Sequence, residues 1–190
     1  MRSRTIDEIE TLATSLRKRL GIDDCVKLDI VSVLEFELHR FLPEFEFVVV
    51  EDKTAAPSVL AFARSNPPQI AVRESIYRQA ISGDSSARFV LAHELGHLML
   101  RHGIAHKLSA GARMQRQVQS LELEANKFAA AFLVPGNAIE NLTPDQISST
   151  FGVSNQVARL RLAEQRTAKR GALPSPFMQL LEKFHPNKNN

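Results

Sequence analysis

Residues 87–101, Ala-Arg-Phe-Val-Leu-Ala-His-Glu-Leu-Gly-His-Leu-Met-Leu-Arg, most constrain what this chain can become. Without proline and with Asp84, Ser85 and Ser86 as N-cap candidates after Gly83, the run predicts a helix over about 86–101. Phe89, Val90, Leu91, Leu95, Leu98, Met99 and Leu100 make that helix apolar almost all round, so it belongs at the centre of a fold. Two histidines and a glutamate lie inside it, and buried polar groups need partners. His93 and His97 are four residues apart, about one turn, so both imidazoles leave one face and can grip one metal ion. Glu94 sits one step round the helix, where it can reach water on that metal rather than take a coordination site. The competing structural interpretation is two core histidines bonded to carbonyls and a glutamate neutralised by arginine. Gly96 argues for a crowded neighbour, since glycine inside a helix costs about 1 kcal/mol relative to alanine.

Two histidines flanking a glutamate in this pattern are the arrangement zinc peptidases use, and such zinc sites take a third protein ligand and leave one position open. A third histidine six residues after the second, with a glycine midway, is excluded: Leu100 and Gly103 occupy those positions. A later carboxylate is the alternative. Residues 121–133 read as an alanine-rich helix that stops at Pro135-Gly136 and carries Glu122, Glu124 and Asn126. Glu122 and Asn126 share a face, so a carboxylate could bind the metal while an amide steadies one of its ligands. Glu124 points about 160° away, and only one of the two glutamates can face the metal. His102 and His106, in the small-residue stretch between the two helices, are further ligand or oxyanion-donor candidates; His102 is off the coordinating face. Tyr77, the sole tyrosine, is expected to pack half-buried.

Arg88-Phe89, the His93–His97 motif, and Glu122-Leu-Glu-Ala-Asn126-Lys-Phe128-Ala129-Ala130-Ala-Phe-Leu133-Val-Pro135 together resemble the ImmA/IrrE family of metallo-endopeptidases, over about residues 60–165. The resemblance implies that Glu122 rather than Glu124 is the third ligand and that Asn126 supports the site from behind. It also implies a zincin-like, gluzincin-type fold. The partner it implies is a protein substrate cleaved at one place, typically a helix-turn-helix repressor, which releases stress-response or mobile-element genes. Zinc is the expected metal, with manganese as the alternative for a donor set of two imidazoles and one carboxylate. An edge strand of the small sheet would hold the substrate chain, and the strand ending near Val72 is the one expected to do so.

The rest of the chain predicts an α+β fold, mostly helical, with a small, mainly antiparallel three-stranded sheet before the metal helix. Ile6, Ile9, Leu12, Leu16 and Leu20 predict an amphipathic helix over 5–20, and a second follows over about 29–41. Strands are expected at 45–50, 59–63 and 69–72. Residues 1–140 would form the metal-binding domain, 141–170 a helix-turn-helix-like pair packed on it, and 171–190 a tail with Pro174, Pro176 and Pro186. Cys25 is the only cysteine, which excludes an internal disulfide and a cysteine-rich zinc site. A charged N-terminus and the lack of any apolar run of about 20 residues point to a cytoplasmic protein without membrane partners. Basic residues concentrate after residue 151, and Asn155, Gln156, Arg159 and Arg161 would form the reading face of the second helix if the pair met DNA. A DNA-binding regulator with a structural metal site and a module that sequesters a repressor without cutting it are the rival functions. The peptidase interpretation is preferred to both, and the helix pair is preferred as a structural closure.

Overall fold

The computed structural model describes residues 3–56, 59–102 and 112–171, with side chains at 112–114 and 167–171 excepted. It is a mostly helical α+β fold around a three-stranded mixed sheet. Helix α1, Ile6–Leu20, opens on a capping box between Thr5 and Glu8 and closes on Gly21 at φ 68°, as its acidic start and basic end suggest. A short helix α2, Ile30–Ser32, continues into a π-helical stretch, Val33–Glu37, and a 3-10 turn, Leu38–Arg40. Strands β1, Glu46–Val50, β2, Ala61–Ser65, and β3, Pro68–Arg73, follow.

Helix α3, Glu74–Ile81, was not foreseen in the sequence; it leads from β3 to α4, Ser85–Met99, the helix of the two histidines. Asp84 caps α4 by accepting from the Ala87 N–H at 2.8 Å. Helix α5, Ala112–Leu133, is longer than its alanine-rich core suggested, and α6, Pro144–Phe151, and α7, Asn155–Gly171, complete the order.

The sheet order is β1-β3-β2, with β1 parallel and β2 antiparallel to β3. This corrects one expectation: the strand ending at Val72 is central, not an edge. Ile70, Ala71 and Val72 are all buried, the continuous apolar run that a strand covered on both sides requires. The edge strand beside α4 is β2. Its Ala61 and Ala63 are buried, and their small side chains let α4 lie close beneath. On its other side α4 packs against α5, and α1 packs against α5 in turn.

Buried arginines fasten the ends of these elements. Arg17 donates to the carbonyls of Phe132, Ile22 and Cys25, and Arg88 to those of Leu28, Phe151 and Gly152, so α4 is tied to the end of α6. Arg161, placed by the sequence on an exposed face, is 2 % exposed. Its guanidinium donates to Val134 O at 2.8 Å and pairs with Glu10 at 2.8 Å and Glu164 at 3.0 Å. Residue 161 therefore closes the fold and leaves the DNA-reading set; Arg159 remains exposed, bonded to Asn155. Among the described residues no helix is long and apolar enough to cross a membrane.

Candidate metal centre

Helix α4 carries His93 and His97 on one face, and α5 crosses close beside it. The approach is permitted by Gly96: a Cβ there would lie 3.0 Å from the Ala125 carbonyl oxygen and 3.2 Å from Ala125 Cα. This is the crowded neighbour that a glycine inside the helix predicted. Ala125 lies less than a turn beyond Glu122, so the same close packing carries the Glu122 carboxylate to the two imidazoles.

The three donors converge. His93 Nε2 and His97 Nε2 are 2.9 Å apart, and Glu122 lies 3.2 Å from the first through Oε2 and 3.4 Å from the second through Oε1. One donor atom from each of His93, His97 and Glu122 could thus hold a metal ion. The spacing suits an ion with bonds of about 2.0–2.2 Å, whose tetrahedral ligands stand a little over 3 Å apart. Donor chemistry agrees, since two imidazole nitrogens and a carboxylate aimed at one point repel each other unless a cation or proton lies between them. Glu122 is held well below the usual carboxylate range, chiefly by its bonds with His93 and His97, so its charge is present at neutral pH. Burial opposes protonation of His93, but the Glu122 bond and the charges of Glu94 and Glu122 outweigh it and raise its pKa. The centre attracts positive charge.

Each imidazole is also gripped from behind. His93 Nδ1 lies 2.9 Å from Asn126 Oδ1, and a proton on Nδ1 makes Asn126 the acceptor and leaves Nε2 free to ligate. His97 Nδ1 lies 3.0 Å from His102 Nδ1, and His102 Nε2 lies 3.3 Å from Glu124 Oε2. His102 is therefore not among the converging donors but stands behind one of them. Burial first, and then His97, push its pKa down to about 4. Glu124, the rival ligand, is 3 % exposed and points away from the centre. Burial favours its neutral form, but hydrogen bonds from Arg4, Ser3 and His102 outweigh this and lower its pKa. The positions of His102 and Glu124 relative to His97 were invisible in sequence, because they depend on the turn after α4. Arg101 adopts φ 54° there, and the next residue returns its N–H to the His97 carbonyl at 2.9 Å. His106 lies outside the described residues.

Glu94 does not join the donor set. It lines a groove of about 580 Å³ with Val59, Leu60, Ala61, Phe89, Val90, His93 and Asn126. One wall is α4 and the other is the start of β2, so the groove runs from the three donors toward β2, the edge strand among the described residues. The Arg73 N–H donates to the Leu60 carbonyl at 3.0 Å, and antiparallel pairing alternates along a strand. Phe62 and Arg64 therefore turn their main-chain groups to β3, while Ala61 and Ala63 turn theirs to the edge. Tyr77 is half-buried as expected and also donates its hydroxyl to Glu35 at 2.6 Å, away from the groove.

An α+β fold with two imidazoles from one helix and a carboxylate from the next, set beside a groove, defines a domain of the metallopeptidase type. The IrrE N-terminal-like family model, Peptidase M78, matches residues 49–163, more than half of the chain, and the protein belongs to this family. Among solved structures, a Mycobacterium tuberculosis transcriptional regulator is similar in fold, with a TM-score of 0.55 at 17% identity. That alignment covers 83% of this chain and 46% of the regulator, so the protein spans less than half of that chain's length. No curated protein matches the sequence significantly.

Proposed function

We propose that the protein is a metal-dependent endopeptidase that cuts a protein partner, with His93, His97 and Glu122 as metal ligands and Glu94 as general base. The observation that carries this is the placement of Glu94 on the groove wall beside three converging donors, with the outer edge of β2, paired to no further strand among the described residues, along the opposite wall. Zinc suits the donor set best, with manganese as the alternative. A divalent ion in this seat supplies Lewis-acid polarisation and lowers the pKa of water. Glu94 takes the proton of the attacking water on its carboxylate and delivers it to the leaving nitrogen.

The substrate chain lies extended in the groove. Ala61 and Ala63 offer it main-chain donors and acceptors at the β2 edge, so backbone pairing positions the scissile bond without demanding a particular side chain at every position. Family membership supports a protein as substrate. The resemblance of the two-part signature supports a helix-turn-helix repressor as that protein, cut to release stress-response or mobile-element genes. The helix pair α6–α7 packs on the domain as a closure, with Arg161 spent inside it.

The test is incubation of the zinc-loaded protein with a helix-turn-helix repressor encoded beside it, followed by mass analysis of fragments. Two fragments from one cut are expected, with Glu94→Gln retaining zinc and making neither. Cleavage by Glu94→Gln at the wild-type rate would remove Glu94 from its role. Stoichiometric binding with both chains intact would replace hydrolysis by sequestration.

A further inference from the structure

We propose that His102, Glu124 and Arg4 form a positioning chain that aims His97 at the metal, so that the N-terminal arm is part of the metal centre. The inference rests on His97 being a metal ligand. Presenting the Nε2 lone pair to a metal requires the His97 proton on Nδ1. That nitrogen then donates across 3.0 Å to His102 Nδ1. His102 must carry its own proton on Nε2, which faces Glu124 Oε2 at 3.3 Å. This arrangement of protons lets both contacts operate while His97 ligates.

Both carboxylate oxygens of Glu124 are committed. Oε1 accepts from Ser3 Oγ and from the Arg4 N–H, each at 3.0 Å, and Oε2 accepts from Arg4 Nη1 at 3.1 Å as well as from His102. Arg4 Nη2 donates to the Leu100 carbonyl at 2.8 Å, so the same guanidinium holds the end of α4. His102 is fixed at its main chain too, its N–H donating to the His97 carbonyl at 2.9 Å. A buried carboxylate with this many donors has one orientation. It passes that orientation through His102 to the Nδ1 side of the His97 ring. Groups that orient metal-bound histidines in this way change metal affinity by about 10–100-fold when removed.

The experiment uses the full-length protein loaded with Co²⁺ as a paramagnetic probe. In water, the ligating histidines give two shifted, exchangeable Nδ1–H proton signals, one bonded to Asn126 and one to His102. His102→Ala is expected to broaden the second signal into solvent exchange and leave the first, with Co²⁺ affinity by chelator competition weaker by about 10–100-fold. His102→Gln, whose amide offers an acceptor and a donor, is expected to recover most of the affinity. Arg4→Ala, at a partly exposed position, is expected to speed exchange of the same signal with a smaller loss of affinity. If His102→Ala keeps both signals and wild-type affinity, or His102→Gln is as weak as His102→Ala, the chain is not what aims His97. If Arg4→Ala changes neither exchange nor affinity, the N-terminal arm drops out. Wild-type protein that takes up no Co²⁺ would overturn the metal assignment and the positioning chain together, which separates that failure from the others.

Discussion

Gly96→Ala tests whether the close crossing of α4 and α5 sets the metal centre. The added Cβ would meet the Ala125 carbonyl oxygen at 3.0 Å, Ala125 Cα at 3.2 Å and Phe128 Cδ1 at 3.2 Å. Phe128 can shift its ring slightly, but the first two are main chain and move only if α5 moves. Carbon contacts settle near 3.5–4.0 Å, so α5 must retreat by about half an ångström. Two energies compete in the apo protein. Alanine recovers about 1 kcal/mol of helix propensity, and overpacking costs about 1–3 kcal/mol. The net result lies between no change and a loss of about 2 kcal/mol. Metal binding feels the displacement more directly, because Glu122 rides on the segment that retreats and its oxygens already stand 3.2–3.4 Å from the imidazole nitrogens. A loss of about tenfold in zinc affinity, about 1.4 kcal/mol, is expected from chelator competition, with urea unfolding of the apo proteins reporting the fold separately. A variant more stable by about 1 kcal/mol with unchanged zinc affinity would refute the reasoning, for α5 would then have yielded without disturbing the donors.

Ala63→Pro removes one edge-facing N–H from β2, a change that edge strands tolerate, and should raise KM for the protein substrate while zinc affinity holds. Unchanged KM in cleavage kinetics would take the substrate off that edge. Arg161→Ala strands Glu164 in the interior and should cost about 3 kcal/mol in urea unfolding, the low end for a broken buried pair because Glu10 is a third exposed and can rehydrate. A loss under 1 kcal/mol would show that α7 closes the fold without it. Zinc at about 1,000 times its Kd stabilises by about 4 kcal/mol, so chelation should lower Tm by roughly 10 °C in calorimetry. A Tm indifferent to the chelator would mean that the folded protein does not hold the metal.

Much of the site was legible because its parts are local. His93, Glu94 and His97 share one helix, where spacing alone decides which side chains share a face. Asp84 announces α4 for the same reason, capping the turn that follows. The order of the strands was not legible, because β1 reaches β3 across β2 in sequence, and nothing in Phe47-Val48-Val49 says whether it pairs in parallel. Arg161 misled for a related reason. A guanidinium in a basic stretch looks solvated until Glu10, 151 residues away, arrives beside it. The roles of His102 and Glu124 needed the turn at Arg101, whose positive φ is rare for a side chain of that size.

Glu122 and Glu124 show how one helical segment can reach His97 from two sides. Two residues apart on α5, their side chains diverge by about 160°, which on a solvent-facing helix would place one of them idle. Here α5 lies so close to α4 that both directions are occupied. Glu122 meets the Nε2 side of His97, and Glu124 reaches its Nδ1 side through His102. Moving α5 outward would loosen both connections at once, whereas changing either glutamate alone would loosen one. The crossing at Gly96 therefore controls the position of His97 more fully than any single side chain around it. A glycine that costs the helix about 1 kcal/mol is the condition for both carboxylates to act.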